Sequence, residues 1–206
     1  MTFQKIYDFS IKKEIYDQYI EIIKPYLDEN MRLLDVGCGT GKLLSMLDHE
    51  VQYLYGIDQD AQMISYAKTK HPKIHFKIHD MHQSFPYYAD IIILSMDVIH
   101  FSKDPISVLS HAVDALEEHG MIIFDFFIKP LFNVREVHEK PVHYTWERNI
   151  HQDEIYHRIQ FDDTSIELTQ YMHLHIDFYQ YFKDLDFEVI QISSIDPNKK
   201  IIVAKR

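Results

Sequence analysis

The chain contains few of the residues that build disulfides, flexible linkers or membrane spans. Its 206 residues include 1 Cys, 5 Gly and 7 Pro. The single cysteine, Cys38, cannot form an internal disulfide, and the first residues lack the basic start and apolar run of a secretory signal. The longest apolar stretches, such as 91–94, are far shorter than the roughly 20 residues that cross a bilayer. These absences predict a cytoplasmic protein.

Basic residues are also scarce. The chain has 21 Lys and Arg against 32 Asp and Glu, which gives a net charge of −11. A field of that sign repels nucleic-acid phosphates and anionic lipids. We therefore expect neither a nucleic acid nor a membrane as a partner, and the composition leaves monomer and homodimer equally open.

What the chain does contain predicts one well-filled domain, because 46% of its residues are hydrophobic and 14% are aromatic. Apolar residues at helical spacing predict a helix over 11–27. Short apolar runs then alternate with helix-like segments up to residue 127, which indicates a parallel sheet covered by helices on both faces. The predicted strands are 33–36, 53–57, 74–78, 91–94 and 121–127, and the predicted helices are 43–47, 61–69 and 105–116.

The pattern changes after Pro130. Thr, Tyr, Trp and Ile become frequent, and residues 161–164 are typical of a hairpin turn. We predict an antiparallel β insert here, followed by a helix and two strands that return to the sheet. The insert strands are predicted at 142–150, 154–161 and 165–175, the helix at 178–185, and the returning strands at 187–195 and 200–204.

The most informative stretch is Leu-Leu-Asp-Val-Gly-Cys-Gly-Thr-Gly-Lys over 33–42, a strand that enters three alternate glycines and then a helix. Such glycines allow a tight turn and bring backbone N–H groups close to a ligand. A P-loop needs four residues between its first Gly and Gly-Lys, followed by Ser or Thr, and this loop has three residues and Leu43. A dinucleotide fingerprint needs G-x-G-x-x-G, and the loop reads G-x-G-x-G.

The loop resembles motif I of the class I S-adenosylmethionine-dependent methyltransferases, whose form is hydrophobic-hydrophobic-D-x-G-x-G-x-G. The resemblance implies a Rossmann-like, mostly parallel seven-stranded sheet and S-adenosylmethionine as cofactor. It places the loop backbone against the methionine part of the cofactor and gives an acid the task of holding the loop and the cofactor's amino group. The residues concerned are Asp35, Gly37, Cys38, Gly39 and Gly41. Cys38 is expected to fit a crowded turn, not to act as a catalytic thiol.

Two further strand ends match the resemblance. Asp58 ends the second strand, where an acid can accept from both ribose hydroxyls, and Gln59 follows it. An N-cap for the next helix is the alternative role for Asp58. Asp80 follows the third strand at the family's adenine position, with Met81 placed to pack on the ring. A strand-end Asp that simply terminates the strand is the alternative there.

The segment Ser95-Met96-Asp97-Val98-Ile99-His100 follows the fourth strand. Nucleobase amine methyltransferases usually carry an Asn/Asp-Pro-Pro-aromatic motif at this place, and this chain has none. The segment resembles the branch that acts on small metabolites, with Ser95 at the cofactor. His100 is then a candidate general base or acceptor partner, and a helix-capping His is the alternative.

The resemblance divides a single methyltransferase domain, 1–206, into four segments. They are a helical N-terminal lid over 1–30, a cofactor core over 31–128, an acceptor-side insert over 140–176 and a return to the sheet over 177–206. Aromatic residues of the lid, Tyr16 and with it Tyr7, are expected to close over the cofactor. The same aromatic spacing also suits ordinary core packing.

Other residue groups favour simpler interpretations. Histidine pairs such as His75 with His79 would share a strand face, but their spacing alone does not specify a metal site, and none is predicted. Trp146 and the tyrosines 144, 156 and 171 could line a pocket, although strand packing explains them as well. Lys199, Lys200, Lys205 and Arg206 are interpreted as a solvated basic terminus.

The predicted function is methyl transfer from S-adenosylmethionine to a small-molecule acceptor by in-line displacement. The sulfonium methyl is already electrophilic, so the chain's main task is to align the reactants and exclude water. Two alternatives stay open at this point: a regulator that binds the cofactor without transfer, and a nicotinamide-dependent oxidoreductase.

Overall fold

A seven-stranded sheet forms the central layer of the computed structural model, which describes residues 2–138 and 142–206. The strand order is β3-β2-β1-β4-β5-β11-β10, and only β11 runs antiparallel to its neighbours. The strands of this sheet are β1 (Arg32–Val36), β2 (Tyr53–Asp58), β3 (His75–Ile78), β4 (Ala89–Leu94), β5 (Leu116–Phe127), β10 (Glu188–Ser193) and β11 (Lys199–Lys205). The predicted mostly parallel sheet is confirmed.

Helices cover both faces of the sheet, because its central strands are apolar on both sides. In β4, successive residues such as Ile92 and Ile93 are fully buried in hydrophobic clusters on opposite faces. Helices α2, α3 and α4 pack on one face, and α5 and α6 pack on the other. The helices are α1 (Phe3–Ser10), α2 (Lys13–Ile23), α3 (Lys42–Ser45), α4 (Ala61–Lys70), α5 (Pro105–Asp114) and α6 (Phe178–Asp184).

The N-terminal segment differs from its prediction. The single helix expected over 11–27 is α2 followed by a short 3₁₀ helix, Lys24–Tyr26. Pro25 lies within this 3₁₀ turn, where its missing N–H and its ring oppose a continuing α-helix. A separate helix, α1, precedes α2, and its Ile6 is completely buried against the insert. The chain therefore begins as a helical cover over the sheet edge.

The insert is a second, four-stranded antiparallel sheet in the order β6-β7-β8-β9. Its strands are β6 (Val134–His138), β7 (Tyr144–His151), β8 (Glu154–Phe161) and β9 (Thr164–Tyr171). Three of them match the predicted strands, and β6 was missed because Val-Arg-Glu-Val-His is short and half charged. The predicted start of the insert at residue 140 lies outside the described residues. The inward face of this sheet closes over the carboxyl ends of β4 and β5.

Candidate functional site

The glycine loop makes a tight turn at the carboxyl end of β1. The backbone N–H groups of Gly37 and Cys38 both donate to the carbonyl oxygen of Ile57, at 2.8 and 3.0 Å. All three loop glycines have positive φ, between 52° and 75°. A Cβ added to Gly37 would lie 2.6 Å from a methyl carbon of Val98, and one added to Gly39 would lie 3.2 Å from the Tyr7 ring. Glycine is therefore required at Gly37 for both conformation and space.

Asp58 connects the loop to the end of β2. Its Oδ2 accepts from the Gly39 N–H and its Oδ1 accepts from the Asp60 N–H, both at 2.9 Å. The side chain that caps α4 is that of Asp60, so the capping role considered for Asp58 is wrong. Burial raises the pKa of Asp58. Burial, together with the charge of Asp58, raises the pKa of Asp35 well above its usual range.

A cavity of about 190 Å³, called here the loop cavity, opens in front of the glycine loop. Five of the predicted cofactor residues border it, namely Gly37, Gly39, Asp58, Gln59 and Met81. Its other walls are mainly apolar: Phe3, Tyr7, Val36, Ile57, Asp60, Met63, His79, Met96, Val98, Phe101 and Leu168. An apolar slot with an acid at the end of β2 suits a ligand that has both a flat ring and hydroxyl groups.

A narrow cavity of about 10 Å³ borders the same loop and shares Tyr7, Gly37 and Met96 with the loop cavity. It brings together four more of the predicted residues, Tyr16, Asp35, Cys38 and Ser95. The ammonium of Lys42 lies 4.8 Å from the centre of the Tyr16 ring. Burial, with the nearby charge of Asp8, raises the pKa of Tyr16, so its hydroxyl stays protonated. These residues therefore lie beside the glycine loop, next to the loop cavity.

Two of the predicted cofactor residues border neither cavity. Gly41 faces the interior, where an added Cβ would lie 2.5 Å from the Phe76 ring, so its glycine serves helix–sheet packing. The Asp80 carboxylate turns away toward His82, whose backbone N–H and ring Nδ1 lie 3.0 and 2.8 Å from Asp80 Oδ1. These hydrogen bonds lower the pKa of Asp80. Its geometry is that of a strand-end turn.

His100 is fully buried at the junction between the two sheets. Its Nε2 accepts from the Phe127 N–H at 3.2 Å, and its Nδ1 lies 2.7 Å from the carbonyl oxygen of Tyr171. Because an N–H can only donate and a carbonyl can only accept, the ring is neutral with its proton on Nδ1. Burial lowers the pKa of His100 to about 4. Both ring nitrogens are used in joining β5 to β9, which is neither of the roles predicted from the sequence.

Helix α1 is held on the glycine loop. The Thr40 hydroxyl donates to the Asp8 carboxylate at 2.5 Å, and Lys42 Nζ donates to the Asp8 carbonyl oxygen at 3.4 Å. This places Tyr7 against the loop, where it borders both the loop cavity and the narrow cavity. The aromatic spacing of the N-terminus was the only sequence signal for Tyr7.

A further cavity of about 180 Å³, called here the insert cavity, lies between α1, α2 and the insert sheet. It shares Tyr7, Met96, Phe101 and Leu168 with the loop cavity, so the two spaces meet at these four side chains. Its remaining lining is Ser10, Ile11, Ile15, Tyr19, Asp97, Asp125, Trp146, His157, Gln170, Ser194, Asp196 and Lys199. Four insert aromatics were candidates for lining a pocket. Trp146 lines this cavity, whereas Tyr156 is 42% exposed.

A charged group closes one side of the insert cavity. Lys199 Nζ lies 2.5 Å from Asp97 Oδ1 and 3.4 Å from Asp125 Oδ2. The Lys199 side chain is only 14% exposed, and the two carboxylates raise its pKa despite its burial. The interpretation of Lys199 as part of a solvated terminus is therefore wrong. Met96 and Asp97 both have positive φ, and the Asp97 N–H is bound by the Asp125 carboxylate at 3.1 Å.

Comparison with known proteins identifies the family. The sequence profile described as Methyltransferase domain matches residues 27–165. The chain belongs to this family. The methyltransferase is 27% identical over 169 residues to YqeM of Bacillus subtilis, provisionally named a methyltransferase, a match that covers 74% of this chain and 68% of that one. The nicotinamide oxidoreductase considered from the sequence is thereby excluded.

Two solved structures share the fold of the methyltransferase. One is an S-adenosylmethionine-dependent methyltransferase from Clostridium acetobutylicum, with a TM-score of 0.78, 18% identity and coverage of 98% of this chain and 95% of that one. The other is the sugar N-methyltransferase KedS8 from Streptoalloteichus, with a TM-score of 0.79, 15% identity and coverage of 100% and 93%. The Rossmann-like architecture expected from the glycine loop is confirmed.

The cofactor of the methyltransferase is S-adenosylmethionine, and its residues fit that molecule. The backbone of Gly37 and Gly39 borders the loop cavity, and Asp58 supplies a carboxylate to the same cavity at the end of β2. Among the described residues, no helix has the length and apolarity needed to cross a membrane. Within the same residues, no group of three or more His, Cys, Asp or Glu is placed to hold a metal ion.

Proposed function

We propose that the methyltransferase acts on a small molecule that occupies the insert cavity. The observation that carries this proposal is the meeting of the loop and insert cavities at Tyr7, Met96, Phe101 and Leu168. A cofactor in the first space and an acceptor in the second would face each other across these side chains. The insert sheet and α1 enclose the second space, which suits a compact acceptor and water exclusion.

We propose that the cofactor is held in the loop cavity by the glycine loop, Asp58, Gln59 and Met81. The residues of the narrow cavity, Tyr16, Asp35, Cys38 and Ser95, are proposed to support the loop beside it. S-adenosylmethionine supplies an electrophilic methyl group, which the acceptor would take by in-line displacement. The backbone N–H of Gly39 is already bound to Asp58, so this acid fixes the loop and retains lone pairs for ribose hydroxyls. Asp80 and Gly41 are proposed to stabilise the structure around the loop, Asp80 through the turn with His82 and Gly41 through packing with Phe76, without contacting the cofactor.

Proton removal is not assigned to His100, because both of its ring nitrogens are bound to backbone groups. Tyr7 lies where the cavities meet, and burial beside Tyr16 raises its pKa well above the usual range. Its hydroxyl can therefore donate a hydrogen bond at neutral pH but is a poor proton acceptor. This geometry supports catalysis by alignment, in which the chain positions an acceptor that is already nucleophilic.

The acceptors named for similar proteins suggest where to begin a search. KedS8 is a sugar N-methyltransferase, and a barley protein, 29% identical over 97 residues that make up 47% of this chain and 26% of that one, is named 3-aminomethylindole N-methyltransferase. Both names describe compact amine acceptors. An aminomethylindole and amino sugars are therefore sensible first compounds beside an undirected screen.

The test uses the whole chain with S-adenosylmethionine labelled in its methyl group. We expect calorimetry to show binding of S-adenosylmethionine and S-adenosylhomocysteine, and we expect a metabolite extract to yield a labelled small product. Transfer of label only to added protein or nucleic acid would contradict the small-molecule acceptor. Cofactor binding without transfer to any fraction would favour the regulator considered from the sequence.

A further inference from the structure

Three polar side chains form a hydrogen-bonded row across the inward face of the insert sheet. Trp146 lies on β7, His157 on β8 and Gln170 on β9, and all three line the insert cavity. The indole Nε1–H of Trp146 donates to His157 Nδ1 at 2.9 Å. The opposite ring nitrogen, Nε2 of His157, lies 2.9 Å from Gln170 Oε1. The row therefore ends at an amide group on the wall of the cavity.

The direction of every hydrogen bond in this row follows from its first member. An indole N–H can only donate, so His157 Nδ1 must carry the lone pair and the ring proton must lie on Nε2. That N–H in turn requires an acceptor, which fixes the Gln170 amide with its oxygen toward His157. Burial lowers the pKa of His157 and favours this neutral ring. The amide nitrogen of Gln170 is consequently turned away from His157.

The Gln170 amide nitrogen has no hydrogen-bond partner among the described residues. Gln170 as a whole is only 6% exposed. Within the described part of the chain, Asp97 Oδ1 is the one fully buried side-chain polar atom that lacks a hydrogen bond, and it is ion-paired with Lys199. The Gln170 amide nitrogen therefore has accessible surface, and Gln170 lines the insert cavity. The two N–H groups of this amide are therefore oriented donors that can bind an acceptor atom of a ligand.

We propose that Gln170 determines acceptor specificity by donating from its amide nitrogen to an oxygen atom of the acceptor, with Trp146 and His157 as positioning residues. The inference rests on the proposed function, since it places the acceptor in the insert cavity. It adds a chemical class: the acceptor is an oxygen-bearing small molecule, and a counterpart without that oxygen leaves a buried amide unpaired. Such sites reject the analogue that lacks the hydrogen-bonding group strongly.

The experiment compares matched pairs that differ by one oxygen. We suggest 2-aminocyclohexanol with cyclohexylamine, tyramine with phenethylamine, and an aminopyranoside with its deoxy counterpart. Transfer of labelled methyl gives kcat and KM for each member, and protein loaded with S-adenosylhomocysteine reports binding by nuclear magnetic resonance where no transfer follows. We expect the oxygen-bearing member to be preferred in at least one pair. Equal use of both members in every pair, or binding of none, would overturn the proposal.

Gln170→Met tests the donor directly, because methionine has a similar length and no amide. We expect the preference for the oxygen-bearing member to fall about tenfold, through KM rather than kcat. Gln160→Met is the matched control, since Gln160 lies on β8 but points to the exposed outer face of the same sheet. An unchanged preference in Gln170→Met, with cofactor affinity retained, would remove Gln170 from the acceptor site.

Trp146→Phe tests whether the row positions the Gln170 amide, and it provides a second test if Gln170→Met does not fold. Without the indole donor, the proton on His157 can occupy either nitrogen and the Gln170 amide can turn over. We expect a smaller loss of preference, and no added loss when Trp146→Phe is combined with Gln170→Met. The ring-nitrogen resonances of His157 should show a single Nε2–H form in the natural protein and a mixture in Trp146→Phe. Additive losses, or the same tautomer in both proteins, would contradict the positioning role.

These outcomes separate the two proposals. If labelled methyl reaches no small molecule in a metabolite extract, the proposed function fails. If transfer occurs but the presence of the oxygen and the identity of residue 170 make no difference, only the specificity inference fails.

Discussion

The loop cavity and the insert cavity differ in where their polar groups come from. In the loop cavity most of them come from the glycine loop and the adjacent end of β2, with mainly apolar residues of α1, α4, β9 and the segments after β3 and β4 completing the walls. In the insert cavity they come from α1, α2, the segment after β4, β5, the insert sheet, the segment after β10 and the start of β11. Two local stretches of sequence therefore specify most of the polar part of the first cavity. The second gains its polar groups only when distant segments have packed together.

The backbone shows the same contrast. The loop adopts positive φ at glycines, where this conformation costs little. The segment after β4 adopts it at Met96 and Asp97, where side chains make it unfavourable by about 1 kcal/mol or more per residue. The Asp125 carboxylate, which binds the Asp97 N–H, helps to hold that conformation in place. The wall of the insert cavity thus depends on tertiary contacts even for its backbone.

The largest effect is expected where the loop side depends on one residue. Gly37→Ala forces a side chain into φ +70° and places its Cβ 2.6 Å from Val98. We expect the free loop to relax out of this conformation, so that cofactor binding must restore backbone strain of about 1–2 kcal/mol and overpacking of about 1–3 kcal/mol, which predicts a loss of affinity of roughly 30- to 5000-fold. Calorimetry with S-adenosylmethionine provides the measurement. Adding Val98→Ala should recover the overpacking part only, and full recovery would show that the backbone conformation is not limiting.

A second prediction concerns His100, which joins the two sheets. Its pKa of about 4 in the folded protein lies below the usual value of 6.5, so the unfolded chain binds more protons between these two pH values. Stability is fully present above about pH 6.5 and falls as the pH decreases toward 4. At pH 5 the contribution of His100 is a loss of about 2 kcal/mol.

Urea unfolding at pH 7 and pH 5 measures this loss, with His100→Gln as the comparison. A glutamine amide can donate to the Tyr171 carbonyl oxygen and accept from the Phe127 N–H, but it does not titrate. Half-buried His157 and buried His173, whose pKa values are also lowered, should continue to contribute in the variant. An equal pH dependence in both proteins would mean that His100 is not neutral and buried in solution.

The sequence predicted the loop side well for a physical reason. Three alternate glycines after an apolar strand require a close backbone turn, and the acid at the end of β2 follows from strand periodicity. The expected mostly parallel sheet was confirmed because parallel strands with crossover helices permit few arrangements. At Gly41 the structure adds a packing reason for glycine, because an added Cβ would meet the Phe76 ring, and its place at the cofactor stays a prediction.

The insert cavity could not be predicted in the same way. Lys199 lies near the end of the chain among other basic residues, and nothing local reveals that it contacts Asp97 and Asp125. The row of Trp146, His157 and Gln170 depends on the pairing of β7, β8 and β9, which brings together residues 24 positions apart. His100 was predicted from its place after β4, but its partners come from β5 and β9. Tertiary hydrogen bonds decide such roles.

The smallest effect on cofactor affinity is expected from a comparison of Asp58 and Asp80, two acids at the ends of neighbouring strands whose hydrogen bonds differ. In the natural protein each Asp58 carboxylate oxygen accepts one N–H, one from Gly39 and one from Asp60. Asp58→Asn replaces one of these oxygens by an NH₂ group, so one of the two N–H donors loses its acceptor. In Asp80→Asn, the oxygen that contacts His82 can be kept and the new NH₂ group points outward. We therefore expect about tenfold weaker binding of S-adenosylmethionine for Asp58→Asn and a change within about twofold for Asp80→Asn. Calorimetry on the pair uses the same substitution twice, so charge loss alone cannot explain a difference. Equal weakening would restore Asp80 to the adenine position that the family resemblance implies, and would mean that its side chain turns toward the cavity when the cofactor binds.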